Sequence, residues 1–105
     1  MPLFVVTATH SSDQCPMSNS KTRKLFKASA TVRAKTAQKF GVKLLVGPIF
    51  SINHKTIVVT EAPKVESVMD MLTELRVPQW NSVEVQPYLT AEDALKIVEA
   101  QEALY

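Results

Sequence analysis

Residues 3–10 read Leu3-Phe4-Val5-Val6-Thr7-Ala8-Thr9-His10, and this stretch decides the fold. It is rich in β-branched and aromatic side chains, which suits a strand. Side chains alternate across a strand, so Leu3 and Val5 share one face while Phe4, Val6 and Ala8 share the other. Both faces are apolar. A strand apolar on both sides needs cover on both sides.

Working outward, Ser11 to Asn19 is polar and broken by Cys15-Pro16, a loop. Ser20 to Phe40 suits a helix: Leu25, Ala28, Val32 and Thr36 recur at three-to-four spacing, with Phe40 one turn on. Gly41 stands where a helix favours a left-handed C-terminal residue. Val42 to Ser51 reads as a second strand, in which Gly47-Pro48 marks a bulge or an edge position. Asn53-His54 makes the turn into a third strand, Lys55 to Glu61. Pro63 suits the first turn of a second helix with the stripe Val65, Val68, Met69, Leu72 and Leu75, which Pro78 ends. Ser82 to Tyr88 alternates Val83 and Val85 with Glu84 and Gln86, a fourth strand. Thr90, with Asp93 three residues on, opens a terminal helix from Ala91 to Leu104.

This order is β-α-β-β-α-β plus one helix, the split βαβ arrangement of a single α+β domain spanning residues 1–105. It predicts a ferredoxin-like antiparallel sheet of order 4-1-3-2 with two helices on one face. Ile57, Val59, Val83 and Val85 are the expected helix-facing set. Phe4, Val6 and Ala8 then join Thr56, Val58, Thr60, Glu84, Gln86 and Tyr88 on the far face. One helix layer covers one face only, so a second copy is expected to bury the other, making a homodimer.

Composition sets the outer bounds. Apolar residues are 46% and charged residues 21%, values of a packed globular domain rather than a disordered chain. Apolar runs such as Leu44-Leu45-Val46 are far too short to span a membrane, and residues 1–9 lack the pattern of a signal peptide. A cytoplasmic location is the expectation, and a single cysteine, Cys15, fits a reducing compartment. The net charge of +2 hides a split. Residues 1–60 carry nine Lys/Arg against Asp13 alone, whereas residues 61–105 carry three against nine acids.

The element order and the double-sided first strand resemble the dimeric α/β-barrel superfamily, in which two ferredoxin-like sheets enclose a cavity. The segment Thr9-His10-Ser11-Ser12-Asp13-Gln14-Cys15-Pro16, with Glu61-Ala62-Pro63 and Val83-Glu84-Val85, resembles an uncharacterised prokaryotic group of such proteins. By analogy the resemblance implies a small-molecule-binding or small cofactor-free enzymatic barrel, monooxygenase- or isomerase-like, with its ligand between sheet and partner subunit. The alternatives are a non-catalytic dimeric interaction or stress-response protein, and a metal-binding protein.

Topology singles out the only two histidines. His10 ends the first strand and His54 precedes the third; the strands are antiparallel neighbours and both positions are even. The two rings are expected at one mouth of the cavity, with Cys15 and Trp80 at the same end. His10, His54 and Glu84 are the candidate catalytic groups, and His10, His54, Thr56, Trp80 and Tyr88 the candidate ligand contacts. His10, His54 and Cys15 are the candidate metal ligands. The sequence requires no cofactor and admits a transition metal. Two isolated histidines more often serve structure than chemistry, and a thiol–imidazole pair of Cys15 and His10 lacks a third, orienting group in the sequence.

The lysine- and arginine-rich first helix reads as a solvated face beside the acidic Glu66, Asp70 and Glu74. An RNA-recognition domain shares the strand order but stacks bases on aromatics of its inner strands. Lys55 to Thr60 offers none, and Phe4 is the only one in the first strand, which argues against nucleic acid. With only Gly41 and Gly47 present there is no phosphate-binding glycine loop.

Overall fold

Residues 3–9 form the inner strand, and the rest of the sheet is built on it. The computed structural model describes residues 1–105 and is α+β, with a four-stranded antiparallel sheet and three helices. In chain order these are β1 (Leu3–Thr9), α1 (Ser20–Lys39), β2 (Lys43–Ser51), β3 (Lys55–Glu61), α2 (Val65–Glu74), β4 (Ser82–Tyr88) and α3 (Ala91–Ala100). Short 3₁₀ turns, Ser12–Gln14 and Val77–Gln79, precede α1 and β4. The sheet runs β2-β3-β1-β4, an order compatible with a ferredoxin-like fold. No helix is long and apolar enough to cross a membrane.

Local chemistry explains the boundaries. Asn19 caps α1 by accepting from the Thr22 N–H at 3.0 Å, and Thr90 caps α3 by accepting from the Asp93 N–H. At the far end of α1, Gly41 takes φ +70°, and the Val42 and Gly41 N–H groups return to the Ala37 and Gln38 carbonyls. Strand β2 lies on the edge, as Gly47-Pro48 suggests, and its register slips on either side of Val46. Gly47 is required there: at φ +88°, a Cβ would stand 2.6 Å from the Ile57 carbonyl oxygen.

The register overturns the expected faces of β1 and β3 and keeps that of β4. Val6 lies opposite Val58 on β3 and Val85 on β4. Phe4, Val6 and Ala8 are buried, and Phe4 and Val6 belong to one core cluster with Ala37, Val42, Ala62, Val68, Met71, Leu72 and Leu75. Thus Phe4, Val6, Ala8, Thr56, Val58 and Thr60 face the helices together with Val83 and Val85. Ile57 and Val59 lie on the open side. The threonines concealed this: Thr60 is fully buried, yet its hydroxyl donates to the Phe4 carbonyl at 2.8 Å and so needs no water.

Helix α1 is rotated from expectation, whereas the stripe of α2 holds at Val65, Val68, Leu72 and Leu75 and differs at one methionine. Helix α1 buries Thr22, Thr36 and Ala37 and half-buries Phe26, Ser29 and Arg33, while Ala28 and Val32 are exposed. In α2 the buried methionine is Met71, and Met69 is 51% exposed. Helix α3 stops at Ala100 rather than Leu104 and buries none of its residues.

Candidate functional site

The β1–β3 ladder continues one rung past its last strand pair, Thr9–Lys55: the His10 N–H donates to the His54 carbonyl at 3.1 Å. This sets the two imidazoles side by side, with ring centroids 5.1 Å apart at 71°. His54 closes the β2–β3 turn at φ +62°, a left-handed conformation that histidine adopts more readily than most residues.

Cys15 arrives from the loop between β1 and α1. It is buried, and its carbonyl accepts from the Ser18 and Asn19 N–H groups. The Ser18 hydroxyl donates to the Ser12 carbonyl at 2.9 Å, and the Asn19 amide donates to the Asp13 carbonyl. Arg23, one turn into α1, donates from its guanidinium to the Pro16 and Met17 carbonyls at 2.8 and 2.7 Å. The Ser11 hydroxyl holds the Asp13 carboxyl below its ordinary range. These bonds fix the loop, and the thiol meets the imidazoles. One donor atom from each of His10, Cys15 and His54 lies within 4.8 Å of the other two.

Sequence reasoning missed Asn81. Its side-chain N–H₂ donates to the Val77 carbonyl at 3.1 Å, which turns its amide oxygen to within 3.3 Å of His10 Nδ1. An amide oxygen only accepts, so in the neutral ring Nδ1 carries the proton and Nε2 keeps its lone pair. Nε2 is buried and has no hydrogen-bond partner. Asn81 is thus an orienting group for His10 that the sequence did not reveal, although Nε2 and the thiol are not hydrogen-bonded. The only sequence signal was a polar side chain beside Trp80 at the strand entrance.

A pocket of about 390 Å³ opens over this cluster. His10, Cys15, His54, Thr56, Phe26 and Trp80 line it, and the Trp80 ring packs 5.1 Å from His10 and 6.3 Å from Phe26. Inward, Phe26, Phe50, Thr56 and Trp80 also wall a smaller cavity of about 70 Å³ between sheet and helices. Arg33 borders that cavity without an acidic partner, and burial pushes its guanidinium below its ordinary range.

Of the expected site residues, His10, His54, Cys15, Thr56 and Trp80 come together. Glu84 and Tyr88 do not join them. Glu84 is exposed opposite Thr7 on the other face, and Tyr88 lies opposite Leu3 at the far end of the sheet. The pocket is therefore on the helix side of a single chain, not on the face where a second subunit was expected to cover the ligand. No protein-family model matches this sequence, and no curated protein matches it.

Proposed function

We propose that this chain binds a small, largely apolar molecule in the pocket beneath Trp80, with His10, His54 and Cys15 as its reactive groups. The observation that carries this reading is the pocket itself. Its volume of about 390 Å³ lies in the range of small-ligand sites, and apolar walls surround a few convergent polar groups. No carboxylate lines it, so acid–base work there falls to the two imidazoles, the thiol and the Lys55 amine. Monooxygenase- or isomerase-like chemistry remains an analogy of fold.

Trp80 is the only tryptophan, so its emission reports on this pocket directly. Titration with a fragment library of small aromatic and aliphatic carbonyl compounds should give saturable changes for some members. Thr56→Tyr, which fills the wall, should abolish them. Linear responses throughout the library would refute the proposal.

The same reading includes a homodimer, through a different surface from the one the sequence suggested. Leu3, Val5, Ile57 and Val59 share the open face with Val46 and Ile49, which are about half exposed. Elsewhere, helix α3 leaves Leu95, Ile97 and Val98 at least half exposed. Only 15 of 105 residues are buried, a small core for a chain that must offset its own ordering entropy. A second copy covering this apolar face would supply the missing burial.

A further inference from the structure

We propose that His10, Cys15 and His54 form a transition-metal site with three protein donors and a fourth position open to the pocket. The donors are His10 Nε2, the Cys15 thiolate and one ring nitrogen of His54. This goes beyond the pocket reading and does not rest on it, since an ion can bind where no organic ligand does.

Four observations converge. One ring nitrogen of each histidine and the Cys15 sulfur all lie within 4.8 Å of one another. Around a tetrahedral ion with metal–nitrogen bonds of about 2.0–2.1 Å and one metal–sulfur bond of about 2.3 Å, donors stand roughly 3.3–3.6 Å apart. Side-chain rotation supplies the remaining closure of up to about 1.5 Å. His10 Nε2 is buried without a partner, a costly arrangement unless something accepts its lone pair. Its other nitrogen is held by Asn81, the outer-shell bond that metal-bound histidines typically make. The backbone beneath all three donors is fixed by the ladder rung to His54 and by the Arg23-clamped loop.

The second imidazole separates this proposal from a nucleophilic cysteine. A thiol–imidazole pair needs one histidine with one orienting group, and Cys15, His10 and Asn81 already supply those. His54 is surplus to that arrangement but completes a metal site. Two imidazoles and a thiolate without a carboxylate exclude magnesium and calcium and suit zinc or copper. Three protein donors with an open position would let the ion polarise a bound ligand or water. Coordination releases the thiol proton, so acid should weaken binding.

The full, untagged chain, stripped with chelator, should be titrated with Co²⁺ alone. One equivalent should produce a thiolate-to-cobalt charge-transfer band and the visible bands of a tetrahedral ion, and zinc should displace it. Cys15→Ser should lose the charge-transfer band. His10→Ala and His54→Ala should each weaken binding by at least the roughly 10–100-fold that outer-shell partners are worth. Zinc should also protect Cys15 from iodoacetamide. Circular dichroism identifies variants that fail to fold, and His54→Asn then replaces His54→Ala. Absence of the band, affinity indifferent to Cys15 or His54, or equal alkylation with and without zinc would each overturn the metal site. Fragment titration of Trp80 emission in the chelator-stripped, unsubstituted chain reads the pocket without any metal, so the two proposals fail independently.

Discussion

Replacing Asn81 with leucine tests the logic of the site most directly. The change keeps side-chain volume while removing two hydrogen bonds, Nδ2 to the Val77 carbonyl and His10 Nδ1 to Oδ1. Neutral hydrogen bonds contribute about 0.5–1.5 kcal/mol each, so urea unfolding should show a loss of about 1–3 kcal/mol. The more specific effect is on the proton of His10. Losing the acceptor at Nδ1 withdraws the same 0.5–1.5 kcal/mol from that tautomer, shifting the ratio about 2- to 13-fold toward Nε2–H. Long-range proton–nitrogen correlation at alkaline pH distinguishes the tautomers. With only two histidines, a His54→Asn spectrum assigns the signals. A wild-type His10 protonated on Nε2, or a tautomer ratio unchanged by Asn81→Leu, would refute the reasoning that leaves Nε2 free.

Three further outcomes follow from the fold. Val6→Arg should abolish folding, because an unpaired charge would enter the core, whereas Val5→Arg on the open face should fold and separate the dimer. Circular dichroism with light scattering reads both, and a wild-type monomer at micromolar concentration would remove the interface. Gly47→Ala should cost at least about 1–3 kcal/mol in urea unfolding, because its Cβ would strike the Ile57 carbonyl; a loss under about 0.5 kcal/mol would contradict the close approach. If the basic face of α1 is merely solvated, binding to mixed-sequence RNA should fade near physiological salt. Tight binding that survives such salt would assign α1 a nucleic-acid role.

The fold was legible where turn chemistry and composition agreed. Strands β3 and β4 occupy the residues read from sequence, and Thr90 caps α3 as expected. The rotated face of α1 has a physical cause. Helix α1 sits over the sheet on Thr22, Phe26, Ser29 and Arg33, a mixed stripe that hydropathy does not recognise. It leaves Val32 45% exposed, an apolar residue that periodicity assigned to the core. In α2 the choice between Met69 and Met71 turns on which side of Val68 meets the sheet, and apolar residues at both positions hide the answer.

The histidine pair survived the inversion of faces because its prediction used only antiparallel neighbours and matching parity. What the inversion changed is the surface to which the pair belongs. Helix α1 packs on one side of the sheet, so the loop from β1 into α1 must climb to that side and carry Cys15 with it. Cys15 can meet His10 only if the even residues of β1 face the helices. Cys15 beside His10 is therefore incompatible, in this topology, with Phe4, Val6 and Ala8 turned toward a partner. Connectivity could have settled the face without any hydropathy comparison. Asn81 and Arg23 lay beyond that argument, because each acts through hydrogen bonds to or from backbone carbonyls whose positions depend on turn conformation. The chain thus encodes the reactive groups in its topology, and encodes their orientation in two short turns that periodicity does not read.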